Sequence, residues 1–176
     1  MDTRIKAIQT KYKGRLFRSR LEARWAVFFD KAKIEWQYEP EGYDLDGMWY
    51  LPDFYSPSAE SFFEIKPIKP NEREIEVGNR LEAVTGKDYF ILVGEPKPSI
   101  IPELGITAVE VFSLSGHGWI CQCRRCEGVC LVTAGSEYDW IGYGDLGNHV
   151  CGDHDRWPIS FRESTFESAL SARFGR

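Results

Sequence analysis

Trp49-Tyr50-Leu51-Pro52-Asp53-Phe54-Tyr55, then Ser56-Pro57-Ser58-Ala59-Glu60, then Ser61-Phe62-Phe63-Glu64-Ile65-Lys66: two aromatic-rich runs around a turn-forming segment read as a β-hairpin. Side chains alternate with period two along a strand. Leu51, Asp53 and Tyr55 therefore share one face, as do Phe62, Glu64 and Lys66. A symmetric loop sets Asp53 directly across from Glu64, where opposed Cβ atoms lie about 4.5–5.5 Å apart. Two carboxylates that close repel unless a proton or a cation joins them. A hard divalent cation, which prefers carboxylate and carbonyl oxygens, is the natural occupant. Lys66 points to the same face and could orient or help deprotonate a bound water, or steady charge on a phosphate. Pro52, Phe54, Phe63 and Ile65 make the flanks apolar, able to anchor the strands on a core. The same spacing also fits an exposed hairpin with a solvated charged face, on which Lys66 merely neutralises Glu64.

Upstream, Leu21, Trp25, Phe28, Phe29 and Ala32 form an apolar stripe at helical spacing over Ser19–Lys33. Ser19 is the expected N-cap, with Glu22 at N3 closing a capping box. Glu22 also lies beside the stripe, with Trp25, Ala26 and Phe29, where a carboxylate needs a partner. It is thus open to a structural role or to one near the carboxylate pair. Short strands are expected at Glu35–Tyr38 and Tyr43–Leu45. Downstream, Asn71–Thr85 predicts a second helix, with Asn71 and Glu74 as a capping box. Val77, Leu81 and Val84 are its inner stripe, and Gly86 its C′ residue. Tyr89–Val93 and Ile106–Phe112 read as buried strands. Helix, strands, helix, strand, strand is the order of an α/β or α+β layered domain.

The chain has 176 residues, 43% of them hydrophobic and 14% aromatic, enough for a real core rather than a disordered chain. No apolar run approaches the ~20 residues of a membrane span. Met1–Lys13 lacks the apolar region of a secretory signal, and the expected location is the cytoplasm. The net charge of −5 hides an asymmetry. Residues 1–33 carry ten basic and three acidic side chains, the remaining 143 residues 12 basic and 24 acidic. A basic arm on an acidic body suits a polyanion such as nucleic acid, though a solvated helix face has the same composition. Lys11, Lys13, Arg15, Arg18, Arg20 and Arg24 are the expected phosphate contacts.

Pro52-Asp53, ten intervening residues, then Glu64-Ile65-Lys66, with a preceding helix that bears Glu22, resembles the PD-(D/E)xK nuclease superfamily. Phe17-Arg18-Ser19-Arg20-Leu21-Glu22-Ala23-Arg24-Trp25-Ala26 looks especially like its phage-type and transposase-associated members. The spacing from Glu22 through Asp53 and Glu64 to Lys66 is similar to that of the phage endonuclease I type of junction-resolving enzyme. The resemblance covers about half the chain. It implies a restriction-endonuclease-like core and hydrolysis of nucleic-acid phosphodiesters with Mg²⁺ or Mn²⁺. By carry-over Asp53, Glu64 and the Ile65 carbonyl would hold the metal, Glu22 would be an additional ligand, direct or through water, and Lys66 would be the catalytic lysine. Pro67, just after the lysine, departs from the pattern and limits backbone pairing there.

The five cysteines lie within Cys121–Cys151, odd in number and clustered, a pattern of metal ligands rather than disulfides. Cys123-Arg-Arg-Cys126 and Cys151-Gly-Asp-His154, with 24 residues between them, have the spacing of a structural tetrahedral Zn²⁺ site. Cys121, Cys130, His117 and His149 are alternative ligands, the first two foremost. Val129–Thr133 and Trp140–Tyr143 predict a small hairpin between the knuckles, and Ser113–Gly118 a linker before them. The expected organisation is a nuclease-like domain at 1–115, a zinc-ribbon-like module at 116–158, and a tail at 159–176 with one short helix. The functional expectation is a DNA endonuclease, phage- or mobile-element-like, with branched or single-stranded DNA among its substrates. A homodimer, or a protein partner on the zinc module, is compatible with it. Two alternatives stay open: a nucleic-acid-binding protein that does not cut, and a zinc-ribbon interaction factor on the same scaffold.

Overall fold

The computed structural model describes residues 7–101, 105–113, 116–122, 129–134, 141–145 and 159–175. It begins with a hairpin not anticipated from sequence, β1 (Thr10–Tyr12) and β2 (Arg15–Phe17). Lys13 and Gly14 join them with φ of 45° and 79°, the two-residue turn whose twist matches that of paired strands. Helix α1 (Arg20–Lys31) follows, then β3 (Gln37–Tyr38), β4 (Tyr43–Asp44), β5 (Trp49–Tyr50), β6 (Phe54–Ser56) and β7 (Ser61–Lys66). After α2 (Glu72–Thr85) come β8 (Asp88–Val93), β9 (Ser99–Ile101), β10 (Ile106–Ser113), β11 (Gly116–Gln122), β12 (Val129–Ala134) and β13 (Ile141–Asp145), and finally α3 (Glu163–Leu170). The architecture is mixed α+β. One sheet runs β13-β12-β11-β10-β8-β7-β6-β3, with β9 paired to β10. Its β7 and β8 are parallel, joined through α2, and its other pairs are antiparallel. Among the described residues no helix is long and apolar enough to cross a membrane.

The quoted hairpin has the expected register, Phe54 opposite Phe63 and Tyr55 opposite Phe62. Its first strand is nevertheless broken. Trp49–Tyr50 leaves to pair with Tyr43–Asp44, and pairing with β7 starts only at Phe54, because Pro52 has no N–H to donate. Asp53 and Glu64 thus sit one step past the ladder, where their side chains replace backbone pairing.

Helix α1 is buried on more than one face. Phe29 packs on Phe54 and Phe63 of the sheet, with ring centroids 5.3 and 5.4 Å apart. Phe28 meets Phe161 and Phe166 at 5.3 and 5.2 Å. The C-terminal segment, expected as a tail, therefore returns to the first helix and completes the core. Ser113–Gly118, expected as a linker, instead carries a strand pairing: Ser113 and Gly116 are register partners in the antiparallel β10–β11 pair. The anticipated boundary at 115/116 falls inside one continuous sheet. β12 and β13 pair antiparallel, where a small hairpin was anticipated.

The second capping box forms as read. Glu74 N–H donates to Asn71 at 3.0 Å, Asn71 N–H to Glu74 at 2.9 Å, and Gly86 ends the helix at φ 67°. The inner face differs from the anticipated stripe. Leu81 is buried, Val84 is exposed, and Gly78 is buried instead. A Cβ on Gly78 would meet the Tyr89 ring at 2.4 Å. Alanine normally gains about 1 kcal/mol over glycine inside a helix, but overpacking costs about 1–3 kcal/mol. Gly78→Ala is expected to lower stability by about 1 kcal/mol net, read as a lower denaturant midpoint with unchanged slope. A raised midpoint would show that the Tyr89 ring gives way freely.

Candidate functional site

Among the described residues three acidic side chains lie inside the fold: Glu22 and Glu64 are 7% exposed and Asp53 3%. Each comes from a different element, the first turn of α1, the middle of β7, and the chain just before β6. Burying a carboxylate costs several kcal/mol unless it is paired and hydrogen-bonded, so their partners define the site.

Asp53 accepts the Ile65 N–H on Oδ2 at 2.8 Å, and its own N–H donates to Glu64 Oε2 at 3.3 Å. The two acids are thus laced across the hairpin as the register requires. A strand residue presents its N–H and C=O to the same edge, so the Ile65 carbonyl also faces the Asp53 side. Glu64 Oε2 accepts from Tyr50 Oη at 2.7 Å, and Tyr50 Oη lies 3.0 Å from Tyr89 Oη. Burial, reinforced by Glu64, raises both phenols above their ordinary range. Lys66 Nζ bridges Glu64 Oε1 at 3.1 Å and Glu74 Oε1 at 3.2 Å. Although burial works against the ammonium, these two acids raise the Lys66 pKa and keep it charged. Its backbone carbonyl accepts from Gly94 N–H at 2.7 Å, and Gly94 O accepts from Trp25 Nε1 at 2.8 Å. The lysine end of β7 is thereby tied to α1.

The capping box at Ser19 is only half formed. Glu22 N–H donates to Ser19 Oγ at 3.1 Å, but the Glu22 carboxylate turns elsewhere. It accepts Ser19 Oγ–H at 2.6 Å, Tyr38 Oη–H at 2.6 Å and Arg18 N–H at 3.2 Å. Glu22 therefore combines its N3 position with a place beside Asp53, whose pKa its charge raises.

Arg18 was read as a phosphate contact. Its guanidinium bonds Asp53 Oδ1 through Nη2 and Glu39 Oε1 through Nε at 2.8 Å. Among the other expected phosphate contacts, Arg24 pairs with Glu95 and Lys13 with Asp30 at 2.9 Å. Lys11, Arg15 and Arg20 are exposed, with the Arg15 guanidinium 5.9 Å from the Trp36 ring centre. Tyr38, Tyr50, Tyr89 and Glu39 were not anticipated, and Glu74 was read only as a capping residue of α2. The one sequence signal of the first four is polar aromatics and an acid in or beside short strands. The four expected zinc ligands, Cys123, Cys126, Cys151 and His154, lie outside the described residues. So do His149 and, between the first two cysteines, Arg124 and Arg125.

Among the described residues no three His, Cys, Asp or Glu side chains form a ready-made metal cage. What the site offers is two facing hard-oxygen donors and a nearby third, countered by a guanidinium and an ammonium. That donor set fits a hard divalent cation. Comparison of the chain with protein-family models, curated proteins and solved structures finds no match.

Burial, and then the charges of Glu64 and Glu22, push the Asp53 carboxyl up from 3.8 to about 8, against the opposing pull of the Ile65 N–H and Arg18. The folded chain then keeps a proton that the unfolded chain loses across this window, so stability is full below the lower value and falls as pH rises toward the upper one. Denaturation midpoints measured without added divalent ions are expected to decline over this range, and to decline less in Asp53→Asn. An equally steep decline in that variant would assign the effect to other groups.

Proposed function

We propose that this chain is a metal-dependent endonuclease of the PD-(D/E)xK type that hydrolyses DNA phosphodiester bonds using Mg²⁺ or Mn²⁺. The observation that carries the reading is the buried, face-to-face Asp53 and Glu64, with the Lys66 ammonium on Glu64 and the helix carboxylate of Glu22 alongside. The order α1, β6–β7 hairpin, α2, and β8 parallel to β7 supports a restriction-endonuclease-like core. Asp53, Glu64 and the Ile65 carbonyl would hold the ion, with Glu22 assisting directly or through water. When bound, such an ion polarises the phosphate and lowers the pKa of an attacking water. Lys66, held charged and tied to α1, would face the phosphate and offset the negative charge that develops as the water attacks and the P–O bond to the sugar breaks. Lys11, Arg15 and Arg20 would contact the flanking backbone, each adding to the salt dependence of binding. A cytoplasmic enzyme, working alone or as a homodimer, fits this reading.

The experiment is a cleavage panel of plasmid, single-stranded and branched DNA with Mg²⁺ or Mn²⁺. Asp53→Ala, Glu64→Ala and Lys66→Ala should each lose activity by at least about 10²-fold while keeping the circular dichroism of the parent chain. Activity surviving in all three variants sinks the assignment. Salt-sensitive DNA binding without Mn²⁺ uptake would mark a binding protein that does not cut.

The C-terminal half of the proposal is a structural Zn²⁺ held by Cys123, Cys126, Cys151 and His154. It is supported by the ends of the two segments that carry these residues. Gln122, before the first pair, is the register partner of Val129, after it. Gln122 also bridges Ile159, which follows the second pair. The described residues Gln122, Val129 and Ile159 therefore meet at one point of the sheet, and Cys121 and Cys130 are register partners beside it. A zinc-supported module here could also dock a protein. Elemental analysis of the purified chain should find about one zinc per chain, lost in Cys123→Ser/Cys126→Ser. Full zinc content in that double variant would move the site to other ligands.

A further inference from the structure

Arg18 has an anchored base and a half-exposed head. Its N–H donates to Glu22 Oε2 at 3.2 Å and to Tyr38 Oη at 2.9 Å, which pins the backbone at the entrance to α1. Its side chain is 52% exposed, whereas Asp53, which it bonds, is 5% exposed. The guanidinium thus reaches in from solvent and closes over the one acid oxygen that the hairpin leaves open, since Oδ2 is taken by Ile65 N–H. Glu39 holds the other side of the fork at 2.8 Å. Glu39 itself has φ 46°, a left-handed conformation unusual for a non-glycine residue. Its N–H donates to Asp53 O at 2.9 Å, so the backbone bond that secures this conformation also sets the Glu39 side chain next to Asp53.

We propose that Arg18 is a built-in counter-cation that occupies the metal-facing oxygen of Asp53 in the free protein and leaves it for a substrate phosphate, so that metal and nucleic acid load together. The inference rests on the nuclease reading of the site. A divalent ion and a guanidinium cannot share one carboxylate oxygen without strong repulsion. Metal arriving alone must break the Arg18–Asp53 pair and leave the guanidinium to solvent and Glu39, with no second anion gained in exchange. A phosphodiester offers the planar fork a two-oxygen partner of its own. Binding of one ligand then lowers the cost of binding the other, and the coupling is reciprocal. The consequence is an enzyme that holds little catalytic metal until a phosphate backbone is in place. Arg18 acts here as a positioning residue whose first effect is on metal affinity rather than on the chemical step.

The test is a calorimetric Mn²⁺ titration of the full chain, with and without an oligonucleotide of phosphorothioate linkages. Site binding is taken as the difference from Asp53→Asn, which removes any contribution from the cysteine region. Arg18→Gln without oligonucleotide is expected to bind Mn²⁺ about tenfold more tightly than the parent. The oligonucleotide should tighten Mn²⁺ binding to the parent by a similar factor and to Arg18→Gln little. Arg18→Lys, which keeps the charge but cannot bond Asp53 and Glu39 together, should fall between them, and it decides the matter if Arg18→Gln proves misfolded by circular dichroism. Mn²⁺ binding to Arg18→Gln no tighter than to the parent, or in the fallback Arg18→Lys no tighter, overturns the counter-cation role. Asp53→Asn binding Mn²⁺ as well as the parent overturns the nuclease reading instead, and the two failures are distinct.

Discussion

Everything at the centre of this fold answers one electrostatic demand, the burial of Asp53 opposite Glu64. Two desolvated carboxylates in contact range are worth a penalty of several kcal/mol each. The chain meets it with a particular set of donors: Ile65 N–H and the Arg18 guanidinium on Asp53, and Tyr50 Oη–H and the Lys66 ammonium on Glu64. Such an arrangement is poor economy as pure architecture, because apolar residues of the same size would serve stability as well or better. Its persistence in a core this aromatic is the strongest reason to look for chemistry there.

The surrounding structure is arranged to keep these groups from collapsing into solvent or into one another. Phe29 on Phe54 and Phe63 clamps the hairpin to α1, and Phe28 on Phe161 and Phe166 clamps α1 to the returning C-terminal segment. The Trp25–Gly94–Lys66 chain of hydrogen bonds carries that rigidity to the lysine. Glu22 sits in the first turn of α1, where a helix N-terminus favours negative charge. The acid is therefore stabilised by its own element as well as by Tyr38 and Ser19.

The charge asymmetry of the chain takes on a more specific meaning in three dimensions. The basic N-terminal region is partly consumed by acids of the fold, through Lys13–Asp30, Arg24–Glu95 and Arg18–Asp53. Lys11, Arg15 and Arg20 are left at the surface. The member nearest the acids, Arg18, gains a second role from the same geometry, as the counter-charge of the site.

Local rules made several features legible in the sequence. The period-two alternation and the loop between Tyr55 and Ser61 were enough to place Asp53 against Glu64. The Asn71–Glu74 box and Gly86 marked both ends of α2, because caps depend only on neighbours in the chain. Other features depended on partners far along the chain. That the Glu22 carboxylate would abandon the reciprocal half of its capping box was decided by Tyr38 arriving sixteen residues later. That Arg18 would lie on Asp53 depended on a contact spanning 35 positions. The sheet crosses the anticipated linker because Ile106–Ser113 and Gly116–Gln122 bury each other's backbone groups, a gain that glycine and serine composition does not reveal. The inner face of α2 is set at Gly78, where the Tyr89 ring packs, while Val84 is exposed. The sequence alone determined which residues could carry chemistry, since donors, acids and periodicity are local properties. Tertiary structure alone decided which of them meet, since only packing selects the one partner that a buried charge cannot do without.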